Sequence, residues 1–182
     1  RMGIRARSTQ AEASRAGFHL YPREVTLTAY RMVFSNPDIL TGYLNTLFRT
    51  VIGTVLTVTL SCMCAYPLAR KDLPHRSMFT FLIVFTMLFH GGLVPTYLLI
   101  KNVGLLNNRW VYILPMCVQA FNVIVIKNFF QEIPGSLAES ASIDGAGEWR
   151  VLFQIYVPLS KPVLATVSLW SAVAHWNAWF DG

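Results

Sequence analysis

The sequence predicts an all-α protein, a polytopic membrane helical bundle, and three observations carry the prediction. Only 13% of the 182 residues are charged and 54% are hydrophobic, where an ordinary soluble domain has about a quarter charged. Four runs hold no charged residue, at 50–69, 77–100, 110–126 and 162–180, and each approaches the roughly 17–25 residues a helix needs to cross about 30 Å of hydrocarbon. In lipid every backbone N–H and C=O must pair within the protein, so four such runs imply helices rather than strands. A soluble bundle would need polar stripes at helical spacing, and the second and fourth runs show none.

In chain order, residues 1–43 are polar to amphipathic, with turn signals at Tyr21-Pro22 and Asn36-Pro37 and no spanning run. Their stretch 27–34 spaces apolar residues as a short surface helix, expected to lie on the bilayer. The first span closes on a basic turn holding Arg70, Lys71, Pro74 and Arg76. In the second run Gly91, Gly92 and Pro95 break the helix, so 96–101 is expected as a separate interfacial piece, with His90 at a helix end. A turn at 104–108 precedes the third span, which Arg109 and Trp110 anchor at the interface. Tyr97, Tyr112, Trp149 and Trp179 extend an aromatic belt near the span ends.

The loops at 70–76 and 127–161 share one side and carry Arg70, Lys71, Arg76, Lys127, Arg150 and Lys161. The opposite ends carry Arg31, Arg49, Lys101 and Arg109, so six against four favours the first side as cytoplasmic, while Arg1, Arg5, Arg7, Arg15 and Arg23, farther from the first span, count the other way. The net charge of +6 does not point to nucleic acid, because the basic residues form no single patch with interleaved aromatics; membrane lipid is the expected surface. Cys62, Cys64 and Cys117 all lie in apolar runs and read as small core residues. The histidines at 19, 75, 90 and 175 are scattered and no carboxylates pair within the spans, so no catalytic residue, metal or cofactor is expected.

A polar island interrupts the apolar pattern. Ile133-Pro134-Gly135 stops the third span, and Ser136 with Glu139 fits a capping box. A short helix then runs to about Ile143, where Asp144-Gly145 ends it by allowing a left-handed residue. A second helix places Trp149, Leu152, Phe153 and Tyr156 at offsets 0, 3, 4 and 7, on one face. Pro158 ends it, and Ser160 is placed to cap the fourth span with Pro162 in the first turn. The expected product is a helix-turn-helix that projects from the membrane. Taken singly, Glu139 reads equally well as a capping residue and Gly145 as a helix stop.

The whole island is more specific than its parts. Glu139-Ser140-Ala141, Gly145 four residues on, then nine residues and Ile155-Tyr156-Val157-Pro158 resemble the Glu-Ala-Ala signature loop of the inner subunits of binding-protein-dependent ABC importers. Ser140 stands for the first Ala and Val157 for Leu. The resemblance implies a type I ABC importer permease fold, with four visible spans and a cytoplasmic coupling helix-turn-helix. It implies that Glu139, Ala141, Asp144, Gly145, Ala146, Ile155 and Pro158 seat the loop on a cytoplasmic ABC ATPase dimer. Family members have more spans than are visible here. It follows that 1–43 would be an extracytoplasmic or interfacial segment after a missing first span, and 44–182 a transmembrane domain cut before the last.

Ala65-Tyr66-Pro67-Leu68-Ala69-Arg70, Gly91-Gly92-Leu93-Val94-Pro95, Asn128-Phe129-Phe130 and His175-Trp176-Asn177 resemble the carbohydrate branch of that family. That implies a multi-pass subunit of a bacterial cell-membrane sugar importer, partnered by a second, distinct permease and an extracytoplasmic solute-binding protein. Since no phosphate-loop motif G-x-x-x-x-G-K-[ST] occurs, ATP hydrolysis is expected on a separate chain and the subunit is not itself an enzyme. His175, Trp176 and Asn177 near the outer end of the fourth span either contact sugar or form an interfacial belt. Gln119 and Asn122 in the third either line the path or bond a neighbouring helix. The same loop would also serve an importer of amino acids, peptides or other small solutes. An ATPase-independent carrier or channel would need midplane ion-coupling groups, and none is evident.

Overall fold

The computed structural model describes residues 30, 31, 35, 37–89, 91–106 and 108–178. Of the surface helix expected at 27–34 only Tyr30 and Arg31 are described, both helical; His90 and Trp179 lie outside the described residues. The chain divides into two compact units, Arg1–Asn45 and Thr46–Gly182, and the core and candidate site belong to the second.

Helix α1, Pro37–Ala69, has 33 residues and is about 50 Å long. Of the turn expected at Asn36-Pro37, Pro37 is helical, as is Ser35, and Asn36 lies outside the described residues. The helix therefore begins well before residue 50, where the uncharged run opens. Hydropathy marks the part of a helix that sits in hydrocarbon, not the point where it starts.

The second run is broken as expected. α2, Arg76–Leu88, and α3, Leu93–Asn102, differ in direction by 113°. Gly92 has φ +84°, a left-handed backbone glycine adopts without strain, and Pro95 sits in the first turn of α3 rather than stopping it.

The third run departs from expectation. Its first half forms two 3₁₀ turns, Arg109–Tyr112 and Leu114–Met116. Only then does α4 run from Ala120 to Glu132 with a 49° bend between. Pro115 explains the delay, since it supplies no N–H for a continuous helical ladder.

Helix α5, Gly135–Ile143, is followed by α6, Glu148–Leu159, and α7, Lys161–Asn177, with an 86° bend between the last two. Among the described residues α1 alone is long and apolar enough to cross a membrane. Up to four spans result when each bent pair counts as one.

The core gathers where α4, α6 and α7 meet the C-terminal half of α1. It contains Cys62, Ala65 and Tyr66 of α1, Ile126 and Phe130 of α4, Leu152 and Tyr156 of α6, and Val167 of α7. The register of these contacts is regular. On α1, Arg49, Gly53, Thr57, Ser61 and Ala65 are buried at every fourth position. Asn122, Ile126 and Phe130 repeat the spacing on α4, and Val167, Ser171 and His175 on α7. Rows at i±4 are the ridges by which helices interdigitate, and small residues on one row let backbones approach closely.

Candidate docking loop and buried polar seam

The loop is built from the backbone outward. Pro134 precedes α5 with φ −57° and ψ 126°, and Gly135 is already helical. Ser136 therefore lies inside the first turn and the expected capping box does not form; no side chain caps this helix. A β-region residue ahead of the helix is what Pro134 supplies by its fixed φ, which displaces the start by one residue.

The end of α5 matches expectation. Gly145 has φ +78°, its N–H donates to the Ser142 carbonyl at 3.1 Å, and the Ala146 N–H donates to the Ala141 carbonyl at 2.8 Å. These two bonds are a Schellman motif, which satisfies carbonyls the helix end would leave bare. No atom lies within 4 Å of a Cβ built on Gly145, so the backbone conformation alone selects glycine there.

Glu139, Asp144, Gly145 and Pro158 are exposed, whereas Ala141, Ala146 and Ile155 are partly buried against the core. The expected docking residues thus divide into an outer set and a set that seats the loop. The single apolar face expected for Trp149, Leu152, Phe153 and Tyr156 splits. Residues Leu152–Tyr156 form a π-helical turn, whose wider winding breaks the 3.6-residue register. Leu152 and Tyr156 enter the core, while Trp149 and Phe153 turn outward and stack, ring centroids 6.2 Å apart. Ile143, absent from the expected set, is 86% exposed beside the turn. The sequence does hold a signal for it, an isoleucine adjoining Asp-Gly inside a polar island.

An ionic group ties the loop to α1. Glu148 at the start of α6 accepts a hydrogen bond from the Tyr66 hydroxyl at 2.5 Å and pairs with Arg70. The same guanidinium holds Asp72 through Nε at 2.9 Å and Nη2 at 2.7 Å. The Tyr66 hydroxyl and the Arg70 guanidinium hold the Glu148 carboxyl below the usual carboxylate range, and Arg70 does the same for Asp72. Arg70 is held strongly protonated by Asp72 and Glu148.

The second feature is a polar seam among α1, α4 and α7. Asn122 is buried, and its Nδ2 donates to Ser171 Oγ of α7 at 3.3 Å and to Gln119 Oε1 at 3.5 Å. His175 is buried against Gly53, where an added Cβ would lie 2.7 Å from its Nε2. Trp176 and Asn177 face outward. The expected path residues Gln119, Asn122 and His175 therefore belong to the seam, and Trp176 and Asn177 do not. Sequence reasoning missed Arg49, which is buried, donates from Nη1 to the Ala178 carbonyl at 2.9 Å and lies 5.6 Å from the centre of the Tyr112 ring. Thr57 Oγ1 joins the same end by donating to the Met116 carbonyl at 3.4 Å. Ser160, the expected cap of α7, makes no capping bond.

Residues 39–180 match the family described as binding-protein-dependent transport system inner membrane component. Protein LplC of Bacillus subtilis (strain 168) is 46% identical over 173 residues, 95% of this chain and 59% of its own length. The polygalacturonan/rhamnogalacturonan transport system permease protein YtcP of the same organism is 48% identical over 172 residues, 94% and 60% of the two chains. The diacetylchitobiose uptake system permease protein NgcG of Streptomyces coelicolor is 32% identical over 152 residues, 81% and 50% of the two chains. A solved bacterial ABC transporter involved in the import of the acidic polysaccharide alginate contains a chain that superposes with a TM-score of 0.92 at 35% identity, covering 98% of this chain and 64% of that one. The chain thus spans about three fifths of the length of the first two relatives.

Proposed function

Because the chain belongs to the binding-protein-dependent transport system inner membrane component family, we propose that it is a membrane-spanning subunit of an ATP-driven oligosaccharide importer. In this reading residues 44–182 form its membrane domain and 1–43 an interfacial segment on the outer side. The α5–α6 loop docks on a separate cytoplasmic ABC ATPase dimer, through Glu139, Asp144, Gly145 and the neighbouring Ile143. A second permease completes the path, and an extracytoplasmic solute-binding protein delivers the sugar. The seam residues Gln119, Asn122 and His175 lie beside that path and close it when α1, α4 and α7 pack together.

The observation that carries the proposal is the loop itself: a Schellman-capped turn at Gly145 presenting an almost fully exposed isoleucine between apolar helices. An exposed apolar side chain on a rigid, water-facing turn fits a partner's cleft. The sugar assignment is supported by the relatives, whose names specify polygalacturonan/rhamnogalacturonan, diacetylchitobiose and alginate.

The test is affinity purification of the full-length protein from native membranes beside a Gly145→Trp variant, with mass spectrometry of the associated chains. A P-loop ATPase that accompanies the parent and is lost from the variant is the expected result. If neither brings an ATPase, the docking reading is wrong. Uptake of labelled oligogalacturonides by cells with and without the gene tests the substrate class.

A further inference from the structure

The joint between α1 and the loop has two layers of different character. The inner layer is aromatic and buried: Tyr66 meets Tyr156 edge-on with ring centroids 5.1 Å apart, and Tyr156 meets Phe130 at 5.3 Å. The outer layer is ionic and accessible, with Arg70 holding Glu148 on one side and Asp72 on the other. Beside the outer layer lies a cavity of about 440 Å³ whose walls include Met63, Pro67, Leu73, Trp149 and Leu152. Close-packed aromatic contacts resist gradual deformation. The ionic layer borders open space, so its partners have room to separate and rejoin.

We infer that the Arg70–Glu148 bridge transmits displacement of the docking loop to α1, and that opposite charge at these two positions is what it requires. Glu148 is the first residue of α6, so it moves with the loop. Arg70 directly follows the last residue of α1, the helix whose small-residue ridge packs on α7 through Gly53 and His175. A pull on Arg70 is therefore applied at one end of α1, whose middle carries the seam residues Gly53 and Thr57, which is the arrangement a two-state helix shift needs. Both residues are positioning groups, and neither touches substrate. The inference rests on the loop being an ATPase dock.

The test uses the assembled importer with the full-length permease, in which Cys62, Cys64 and Cys117 are replaced by alanine. Spin labels are placed at the exposed Val51 of α1 and Val173 of α7. The label distance is compared without nucleotide and with the ATPase trapped by ATP and vanadate. In the parent the distance is expected to change. In Glu148→Arg the change is expected to vanish while the ATPase still co-purifies, and in the exchanged pair Arg70→Glu with Glu148→Arg it is expected to return. Glu148→Gln, which keeps an acceptor for Tyr66 but loses the charge, should also lose it.

A normal distance change in Glu148→Arg or Glu148→Gln, or no recovery in the exchanged pair, overturns the inference. So does a parent whose distance never responds to nucleotide. If Glu148→Arg alone loses the ATPase, Glu148 is itself a docking contact and the inference fails while the dock stands. If the parent brings no ATPase, the docking reading fails and takes this inference with it.

Discussion

At Gly145 and Glu148 the loop depends on single residues for different reasons, and the two are separable by experiment. Gly145 faces open space but holds φ +78°, a backbone that costs a residue with a Cβ roughly 1–2 kcal/mol. Gly145→Ala is therefore expected to lower the unfolding midpoint of the purified protein modestly, without the bulk by which Gly145→Trp is expected to block the proposed docking. An Ala variant as stable as the parent would show that the turn relaxes. Glu148 acts through charge. Its carboxyl and that of Asp72 are held below the ordinary range in the folded protein, so the stability they contribute is present above the unfolded carboxylate pKa of about 4 and is lost as pH falls through the folded value. The effect is small because Glu148 is 61% exposed. A thermal midpoint that is flat above about pH 5 and declines below it, less steeply in Glu148→Gln, is the expected outcome. Equal acid declines in both would remove the bridge as the cause.

The helices show what a sequence discloses and what it withholds. The break at Gly91-Gly92 and the stop at Asp144-Gly145 are legible because glycine and proline act through local backbone sterics, which neighbours in space do not alter. The helical state of Pro37 is not, since proline marks turns as well as helical first turns. The outward turn of Trp149 and Phe153 is hidden as well: the pattern 149, 152, 153, 156 is sound for an α-helix, and only the π-helical turn at Leu152–Tyr156 undoes it. The seam was half visible. Gln119 and Asn122 stand out as polar groups in an apolar run, but the ridge Gly53, Thr57, Ser61, Ala65 is made of residues too small and too common to attract notice until α7 is laid against it. That ridge carries a prediction. In Gly53→Val the first added carbon meets His175 at 2.7 Å, and overpacking of this kind costs about 1–3 kcal/mol. Combining it with His175→Ala should recover part of the loss. Simple additivity of the two variants in thermal unfolding would mean that α1 and α7 do not meet there. Asn122→Leu should cost less, about 0.6 kcal/mol, the average for an interhelical hydrogen bond in a membrane bundle.

Across the whole chain, exposure has two meanings, and the membrane decides between them. Neither α2 nor α3 has a buried residue, and Phe81 and Phe85 of α2 continue into Phe89 just past its end as a contiguous ladder, the last two stacked with centroids 4.4 Å apart. Such a surface is intolerable in water and ordinary in hydrocarbon, where apolar tails offer the same contacts as apolar side chains. Ile143 is exposed at least as fully, yet it sits beside Asp144 and Gly145 in a loop with polar neighbours. If α2 lies in lipid or against another permease and the loop lies in water, one lysine should have opposite consequences at the two places. Phe85→Lys puts a charge near the middle of a spanning segment, where insertion measurements give about 2.5–3.5 kcal/mol against it, so the protein should be depleted from membranes. Ile143→Lys should insert at the parent's level, because a charged side chain on a water-facing turn loses no hydration, and its defect should be confined to the amount of ATPase recovered with it. Quantifying membrane-integrated protein and co-purified ATPase for both variants side by side separates the two surfaces. Equal insertion of both, or loss of insertion by Ile143→Lys, would mean that the loop and α2 do not occupy the different solvents assigned to them.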